Sequence, residues 1–237
     1  MRLCWFATVR GPTIDAAHEA ALADLLAQTP GAGEILIHTS ATTHDPYLDD
    51  GQPPSLALQI YFDDIAALEA ACARHGHLQA LPALLPSPSS ATQQAMLARA
   101  FPVPDATYRT AAGDRACTYL VAYEGHAENL NTWLDHYIES HPPIMARFPG
   151  IRQIEICTRI DWVGHLPFDR VEHMQRNKVV FDDQSALTAA LNSPVRHEMR
   201  ADFAHFPPFT GPTSHYPMHT RRVAAKEAAA GRKRFFF

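Results

Sequence analysis

An internal repeat is the feature of this sequence that most constrains its fold. Two pairs of segments match at one offset of 119 positions: TPGAGEILIHTS (29–40) with FPGIRQIEICTR (148–159), and YFDDIAALEAA (61–71) with VFDDQSALTAA (180–190). Gly31 aligns with Gly150 in the first pair, and Phe62 aligns with Phe181 in the second. Because two separate blocks share one spacing without a gap, the sequence predicts a duplicated structural unit.

The two units have the same predicted order of elements. Apolar periodicity, capping residues and turn residues predict β-α-β-β-α-β in each unit. In the first unit, strands are predicted over 3–9, 34–39, 56–62 and 93–103, and helices over 16–28 and 64–71. In the second unit, strands are predicted over 118–123, 152–158, 177–181 and 215–221, and helices from 128 onward and over 183–191. The stretch 76–92 is rich in proline and is interpreted as an ordered connection rather than a helix.

This order of elements is typical of the ferredoxin-like fold. Helices cover one face of such a sheet, and the other face has to be buried against a partner. We therefore predict an α+β protein of two fused ferredoxin-like repeats, packed sheet to sheet as a pseudo-dimeric α/β barrel. The predicted parts are an N-terminal repeat (1–104), a C-terminal repeat (114–222) and a basic C-terminal tail (223–237).

Charge and composition exclude several classes of protein. The net charge is −5, and the stretch from 221 onward is basic, so the rest of the chain is acidic and is not expected to bind nucleic acid. The N-terminal apolar run is too short for a signal peptide, and no stretch is long enough to span a membrane, which predicts a cytoplasmic protein. The four cysteines lie apart and predict neither disulfides nor a zinc site. Whether the tail binds a partner or is simply solvated stays open.

One predicted helix carries the most distinctive candidate residue. Leu130, Leu134, Tyr137 and His141 are spaced so that they share one helical face. His141 is therefore predicted to face the sheet or a cavity, where an imidazole can exchange a proton near neutral pH. From the residues alone, a buried histidine bonded to the backbone is the alternative. Pro142 disfavours helical backbone at the preceding residue and predicts a kink there.

The segment WLDHYIESHPPIMARFPG (133–150) resembles the signature of the EthD family. In that family an aromatic-rich helix leads into a His-x-Pro motif, a basic residue, a Pro-Gly pair and a strand. The resemblance covers about 118–221 and is weak in the first unit. EthD-like proteins belong to the dimeric α/β-barrel group, and the resemblance implies that fold and a site at His141.

The resemblance also implies a range of activities. The group includes muconolactone isomerases, polyketide cyclases, decarboxylases, cofactor-free monooxygenases and haem-dependent chlorite dismutases. We expect a cofactor-independent lyase, decarboxylase or isomerase that acts on a small aromatic or unsaturated anion in catabolism or secondary metabolism. A haem- or metal-dependent oxidoreductase is one alternative. Because EthD itself is an accessory component, a non-catalytic binding protein is another.

The repeat makes the two units unequal. Leu22 lies 119 positions before His141, so the first unit has leucine where the second has the histidine. We therefore predict that the first unit is scaffold and that the second carries the active site. Residues expected to bind substrate there are Trp133, Tyr137, Arg147, Trp162, His165, Arg196, His197, His205 and Tyr216.

These substrate-binding candidates differ in their alternatives. Arg147 is expected to bind an anion or to cap the end of its helix. The long loop 159–176 is expected to be a lid whose aromatic residues stack on a planar substrate, or a loop that packs on the first unit. The matching loop 42–54 is expected to cover the other mouth of the barrel.

Cofactor motifs are absent from the sequence. There are 14 histidines, but no H-E-x-x-H motif or Gly-rich phosphate loop occurs, so no cofactor is predicted. Haem stays open because it needs only one axial histidine. The expected partner is a small-molecule substrate, and the sequence leaves open whether two chains form a homodimer.

Overall fold

Nine β-strands, five α-helices and one 3₁₀-helix make up the computed structural model, which describes residues 2–87, 90–110 and 114–226. The first half contains β1 (Arg2–Arg10), α1 (Ala16–Leu26), β2 (Ala32–Ser40), β3 (Leu56–Phe62), α2 (Ile65–Cys72), the 3₁₀-helix (His77–Leu84) and β4 (Ser90–Phe101). The second half contains β5 (Ala116–Tyr123), α3 (Leu130–Met145), β6 (Ile151–Arg159), β7 (Asp169–Arg170), β8 (Gln175–Phe181), α4 (Gln184–Leu191), α5 (Pro194–Phe203) and β9 (Thr213–Ala224).

Eight antiparallel strands close into a barrel. The order around the ring is β1-β3-β2-β9-β5-β8-β6-β4, and β4 pairs back with β1. Each half supplies four neighbouring strands, and the halves meet where β2 pairs with β9 and β4 pairs with β6. The short β7 pairs in parallel with β4 outside the ring. The predicted α+β class and the barrel are thus confirmed.

Local sequence explains where the elements begin. Side chains of Asp15, Asp64, Asn129 and Asp183 cap α1, α2, α3 and α4 by accepting a backbone N–H of the first turn. Such a cap typically stabilises a helix by about 1 kcal/mol. Gly31 and Gly150 precede β2 and β6 with φ of +76 at each, a left-handed conformation that glycine adopts at low cost.

Two predictions about local structure are wrong, and one helix was not predicted. Residues 77–84 form a 3₁₀-helix where only a connection was expected, and residues 194–203 form α5, which was not predicted. Pro194 lies in the first turn of α5, where proline is well tolerated because the missing N–H has no partner there. Helix α3 continues through Pro142 and Pro143, since the N–H of Ala146 bonds the carbonyl of Pro142, so His141 has helical backbone.

The barrel interior, or lumen, is partly polar rather than a plain apolar interface. The Tyr61 hydroxyl donates to Glu155 Oε1 at 2.5 Å and accepts from Lys178 Nζ at 2.6 Å. Burial raises the pKa of Tyr61 well above its usual value, so this hydroxyl stays protonated. Lys178 and Glu155 are both fully buried, with 3.5 Å between Nζ and Oε1. These hydrogen bonds meet the requirement that buried charges be paired and bonded.

The outer faces of the barrel carry the helices and the two main apolar clusters. Helices α1 and α2 and the 3₁₀-helix pack on the strands of the first half, and α3, α4 and α5 pack on those of the second. In the part of the chain that the structure describes, no helix has the length and apolar character needed to cross a membrane. Residues 227–237 of the predicted tail lie outside the described residues.

Candidate active site

A cavity of about 120 Å³ lies on the outer face of the second half, between its sheet and its helices. Strands β5 and β8 form one wall, and helices α3, α4 and α5 form the other. Most of the lining is apolar and includes Val121, Met145, Phe148, Val179, Leu191 and Met199. An engineered apolar cavity of about 150 Å³ binds benzene, so this space suits roughly one aromatic ring.

His141 lines this cavity and is held by a carboxylate. Its Nδ1 donates to Asp202 Oδ2 at 2.6 Å, and its side chain is only 8% exposed. Asp202 lies on α5 and His141 on α3, so the pair depends on the packing of these two helices. No group in the described ranges bonds Nε2 of His141, which leaves this nitrogen as the one available for a ligand.

Electrostatics keep this histidine neutral near pH 7. Burial lowers the pKa of His141, and the hydrogen bond and charge of Asp202 oppose that effect only in part. The bond from His141 in turn lowers the pKa of Asp202, which stays ionised. Because Asp202 holds the proton of Nδ1, Nε2 carries the lone pair of the neutral ring. A neutral imidazole oriented in this way can accept a proton at Nε2.

A second polar group reaches the cavity from the other half of the chain. Asp45 lies in the loop after β2 and forms an ion pair with Arg196 on α5, with Asp45 Oδ2 2.9 Å from Arg196 Nη2 and 3.0 Å from Nε. The hydroxyl of Tyr119 on β5 also donates to Asp45, at 3.0 Å. Burial raises the pKa of Tyr119, so this phenol is neutral. The loop 41–54 therefore contributes to the wall of the second-half cavity through Leu48, whereas Asp50 and Pro54 of the same loop line one mouth of the barrel lumen.

Aromatic side chains support the position of His141. Tyr137 lines the cavity, with its ring centroid 4.8 Å from that of His141, and its hydroxyl accepts from Asn177 Nδ2. Trp133 stacks on Tyr137 with a centroid distance of 5.0 Å and lies behind it, fully buried. Phe206 packs against both Tyr137 and His141. The ring of His141 is thus fixed by packing as well as by Asp202.

The structure brings three of the predicted site residues to the cavity wall and a fourth next to it. His141, Tyr137 and Arg196 line the cavity, and Trp133 supports Tyr137. The charge of Arg196 is already balanced by Asp45, so it is less available to an anion than expected.

The other predicted site residues lie elsewhere. Arg147 pairs with Glu198, with both side chains largely in solvent, and the exposed His205 bonds the carbonyl of Ala201. His197 is exposed too and bonds the Tyr47 hydroxyl.

The loop predicted to be a lid packs on the first half of the barrel. Trp162 and Phe168 belong to the first-half apolar cluster, and the N–H of His165 bonds the carbonyl of Cys72. The prediction that Trp162 stacks on a substrate is therefore wrong, because this side chain packs in the core of the first half. Tyr216 points into the lumen, where its hydroxyl accepts from Arg10 at 2.8 Å.

Sequence reasoning missed Asp202, Asp45, Tyr119 and Asn177 as site residues. Asp202 falls on a helix that was not predicted, and Asp45 comes from the other half of the chain. The sequence does not show how β5 and β8 pair, so it does not bring Tyr119 and Asn177 together. Alternation along each strand nevertheless places both residues on the helix-facing side of the sheet. That alternation is the one sequence signal that points to them.

The donors and the space around His141 limit the metal ions or haem that this site could hold. Among the described residues, no group of three or more His, Cys, Asp or Glu side chains is placed to hold a metal ion. His141 with its carboxylate partner resembles an axial ligand in type. A haem is much larger than a single aromatic ring and does not fit the cavity of about 120 Å³ beside it.

The closed barrel with helices on its outer face has the architecture of dimeric α/β-barrel proteins. Among solved structures, the chain is similar to an anthrone oxidase-like protein, with 14% identity, a TM-score of 0.64, and coverage of 97% of this chain and 96% of that one. It is also similar to a monooxygenase-like protein from Fusobacterium nucleatum, with 8% identity, a TM-score of 0.59, and coverage of 94% and 93%. At such identities the likeness shows the fold alone.

Sequence comparison adds no family. No family model matches the chain, and no curated protein matches it. The EthD resemblance of the second unit therefore stays a prediction.

Proposed function

We propose that the protein is an enzyme in which His141, oriented by Asp202, removes a proton from a small planar compound bound in the second-half cavity. The observation that carries this proposal is the 2.6 Å bond between His141 Nδ1 and Asp202, with the opposite ring nitrogen left for a ligand at an apolar cavity. A base held in this way typically contributes about 10²–10⁴-fold to a rate. No cofactor is required for this step.

The substrate class follows from the space and polarity of the cavity. A cavity of about 120 Å³ with apolar walls suits a single-ring aromatic or similarly small unsaturated compound. The conjugate base of such a compound is stabilised by delocalisation into the ring. Arg196 is near enough for its charge to lower the pKa of His141, and the part of that charge that Asp45 does not balance would stabilise a substrate anion as it forms. The proposal thus keeps an anionic species, but as the product of the proton transfer.

The fate of the conjugate base separates three reaction classes. Return of the proton to another carbon gives an isomerase, and loss of a leaving group such as CO₂ gives a lyase. Reaction with O₂ gives an oxidation in which a CH₂ group and O₂ become a C=O group and H₂O. The oxidation is favoured by the structural likeness to an anthrone oxidase-like protein and to a monooxygenase-like protein, and it shares the same first step.

Carbon-bound hydrogen exchange tests the first step directly. The protein is incubated in D₂O with a panel of single-ring phenols, enols and unsaturated acids, and deuterium uptake is followed by NMR with and without O₂. We expect uptake or turnover that depends on His141. Consumption of O₂ would assign the oxidation, and turnover in its absence would assign the isomerase or lyase. Binding without any exchange would instead indicate a non-catalytic binding protein.

The two finer structural assignments are also proposals. We infer that the halves are tandem ferredoxin-like repeats, because each contributes strands in the same order and because Gly31 and Gly150 share one backbone conformation 119 positions apart. We infer that the second half is EthD-like on the motif from His141 to Gly150.

A further inference from the structure

One mouth of the barrel lumen holds a second cavity, of about 520 Å³, which is separate from the candidate active site. Strand β8 divides the two, because its successive side chains alternate between the faces of the sheet. Asn177 and Val179 face the candidate active site, whereas Arg176 faces the lumen. The lumen cavity therefore lies on the opposite face of the same strands.

Small side chains leave this end of the lumen open. An eight-stranded barrel is just wide enough for its side chains to fill it or for one small ligand. Inward positions near this mouth carry short residues, namely Thr8, Ala57, Ser90, Thr92, Ala122 and Ser214. Deeper in the lumen, larger residues such as Tyr61 and Lys178 fill the space. The cavity is thus a consequence of residue size at one end of the barrel.

Arg176 is the group in this cavity whose chemistry points to a ligand. Burial lowers the pKa of Arg176 to about 10, so the guanidinium is still charged at neutral pH. Its protein contacts are a hydrogen bond from Nε to Gln94 Oε1 at 3.4 Å and the ring of Phe6 at 5.2 Å. Arg176 forms no ion pair with any residue in the described ranges. A half-buried guanidinium fork without a carboxylate is suited to a carboxylate or phosphate ligand.

The other polar groups of the cavity favour hydroxyl groups on that ligand. Arg10 donates to the Tyr216 hydroxyl and to the carbonyl of Gln52 at the mouth. Glu124 accepts from Ser214 at 2.9 Å, and its charge raises the pKa of Arg176 without reaching it as an ion pair. An acceptor such as Glu124 repels a bare anion but binds a hydroxyl donor.

Two further groups complete the lining on the loop side. Asp50 bonds His215 at 2.8 Å across the sheet, and His173 has a buried Nδ1 without a partner in the described residues. Desolvation lowers the pKa of His173 to about 3, so this ring is neutral. Asp50 is thus engaged by His215, whereas His173 offers one more hydrogen-bonding atom to a ligand.

We propose that the lumen mouth is a second binding site, for a small hydroxylated carboxylate held through Arg176. The carboxylate would bond the Arg176 guanidinium, and the hydroxyl groups would bond Glu124 and the serine and threonine hydroxyls around it. This site is independent of the proposed function, because no residue of the His141–Asp202 pair contacts it.

Three probe compounds distinguish binding of the carboxylate from binding of the hydroxyl groups. D-gluconate has a carboxylate and hydroxyl groups, hexanoate has the carboxylate without hydroxyls, and sorbitol has hydroxyls without a charge. Calorimetric titration of the full chain at constant ionic strength is expected to show saturable binding of gluconate and at least about tenfold weaker binding of the other two. Equal affinity for gluconate and sorbitol, or no saturable binding of gluconate, would overturn the proposal.

Variants locate the binding at the lumen mouth. Arg176→Gln removes the guanidinium and is expected to weaken gluconate binding by about tenfold or more. Ala122→Leu keeps the arginine but fills the space beside it, because Ala122 pairs with Arg176 across β5 and β8. It is expected to weaken binding as well.

Two further variants serve as controls. The exposed Arg74→Gln is the matched control for loss of a positive charge, and His141→Leu is the control for the other cavity. Both are expected to bind gluconate as the unmodified chain does. Unchanged binding in both Arg176→Gln and Ala122→Leu, or loss of binding in His141→Leu, would contradict the lumen site.

Discussion

The two halves of the barrel carry the same layer of helices on the same kind of sheet, yet only one of them encloses a candidate active site. In the first half, the space beneath the helices is filled by a continuous apolar cluster that includes Leu22 and Trp5. In the second half, the corresponding space is a cavity lined by His141 and Tyr119. The cavity that could hold a ligand and the polar groups that would act on that ligand are therefore found in the same half of the barrel.

Two crossing loops account for much of this difference. The loop before β8 reaches over the first half and inserts Trp162, Leu166 and Phe168 into its cluster. The loop after β2 reaches over the second half and supplies Asp45 as a polar anchor, with Leu48 at the edge of the cavity. Each half is therefore completed by the other, and the loop with the bulky apolar residues closes the half without a site.

Equivalent positions within the halves show the same contrast. At the offset of 119, Leu22 corresponds to His141, Leu58 to Asn177, and Ala83 to Asp202. Leu22 and Leu58 are fully buried in the first-half cluster. The second half thus has a histidine, its carboxylate partner and an amide where the first half has apolar side chains.

Replacing a cavity residue of the second half by its counterpart in the first half should have the largest effect, which is on the rate of the reaction. His141→Leu is expected to lower kcat/KM by about 10²–10⁴-fold, because it removes the proposed base and leaves the cavity in place. Steady-state rates on a substrate found by deuterium exchange would measure this.

A double variant sharpens the same test. The double variant His141→Leu, Asp202→Ala places in the second half the residue types that the first half has at Leu22 and Ala83. It is expected to be no less active than His141→Leu alone, because the two residues act as one unit. Full turnover in His141→Leu would show that the base is another group.

Opening the first half should cost stability rather than activity. Trp162→Ala is expected to lower the free energy of unfolding by about 3 kcal/mol, because it leaves a cavity in the first-half cluster. Urea denaturation would measure the change. Val163→Ala is the matched control, since Val163 is 56% exposed and should have little effect. Equal effects of both substitutions would place Trp162 outside the core.

Removing the carboxylate of Asp45, which the first half supplies to Arg196, should destabilise the second half. Asp45→Asn is expected to cost about 3 kcal/mol, because it leaves Arg196 buried without its carboxylate. The exposed Asp49→Asn, in the same loop, is the control and should be close to neutral. A thermal or urea midpoint that does not change in Asp45→Asn would mean that the loop does not close the cavity in solution.

The smallest expected effect is a change in pH dependence. Burial lowers the pKa of His141 below 6.5, so kcat/KM should be flat above about pH 6.5 and fall by about tenfold per pH unit once the ring becomes protonated. Asp202→Asn removes a charge that raises this pKa, so the acid limb should move to lower pH. An acid limb that moves to higher pH would contradict the proposed pairing.

The same group affects stability in a defined direction. The unfolded chain binds a proton at His141 more readily than the folded chain, so this group makes the fold less stable as the pH falls below 6.5. Replacing His141 by leucine should reduce this loss, which denaturation midpoints at several pH values would show.

The sequence predicted the fold because local signals repeat along the chain. The Pro-Gly turns, the aspartate caps and the alternating strands recur at one offset, and each corresponds to an element of the structure. Helix α5 was the main exception, because the stretch after Pro194 is rich in charged residues and contains few apolar ones. His141 could be singled out from helical spacing and from resemblance, but its role there was a prediction.

Tertiary structure alone decided which residues accompany His141. Asp202 approaches it because α3 and α5 pack side by side, and Asp45 reaches Arg196 at the cavity wall from a loop 151 residues away in the chain. Sequence periodicity indicates which face of a helix or strand a residue occupies, but it does not indicate which other element packs against that face. The strands and helices of the barrel could therefore be predicted from local spacing, whereas the pairing of His141 with Asp202 arises from how the helices pack over the sheet.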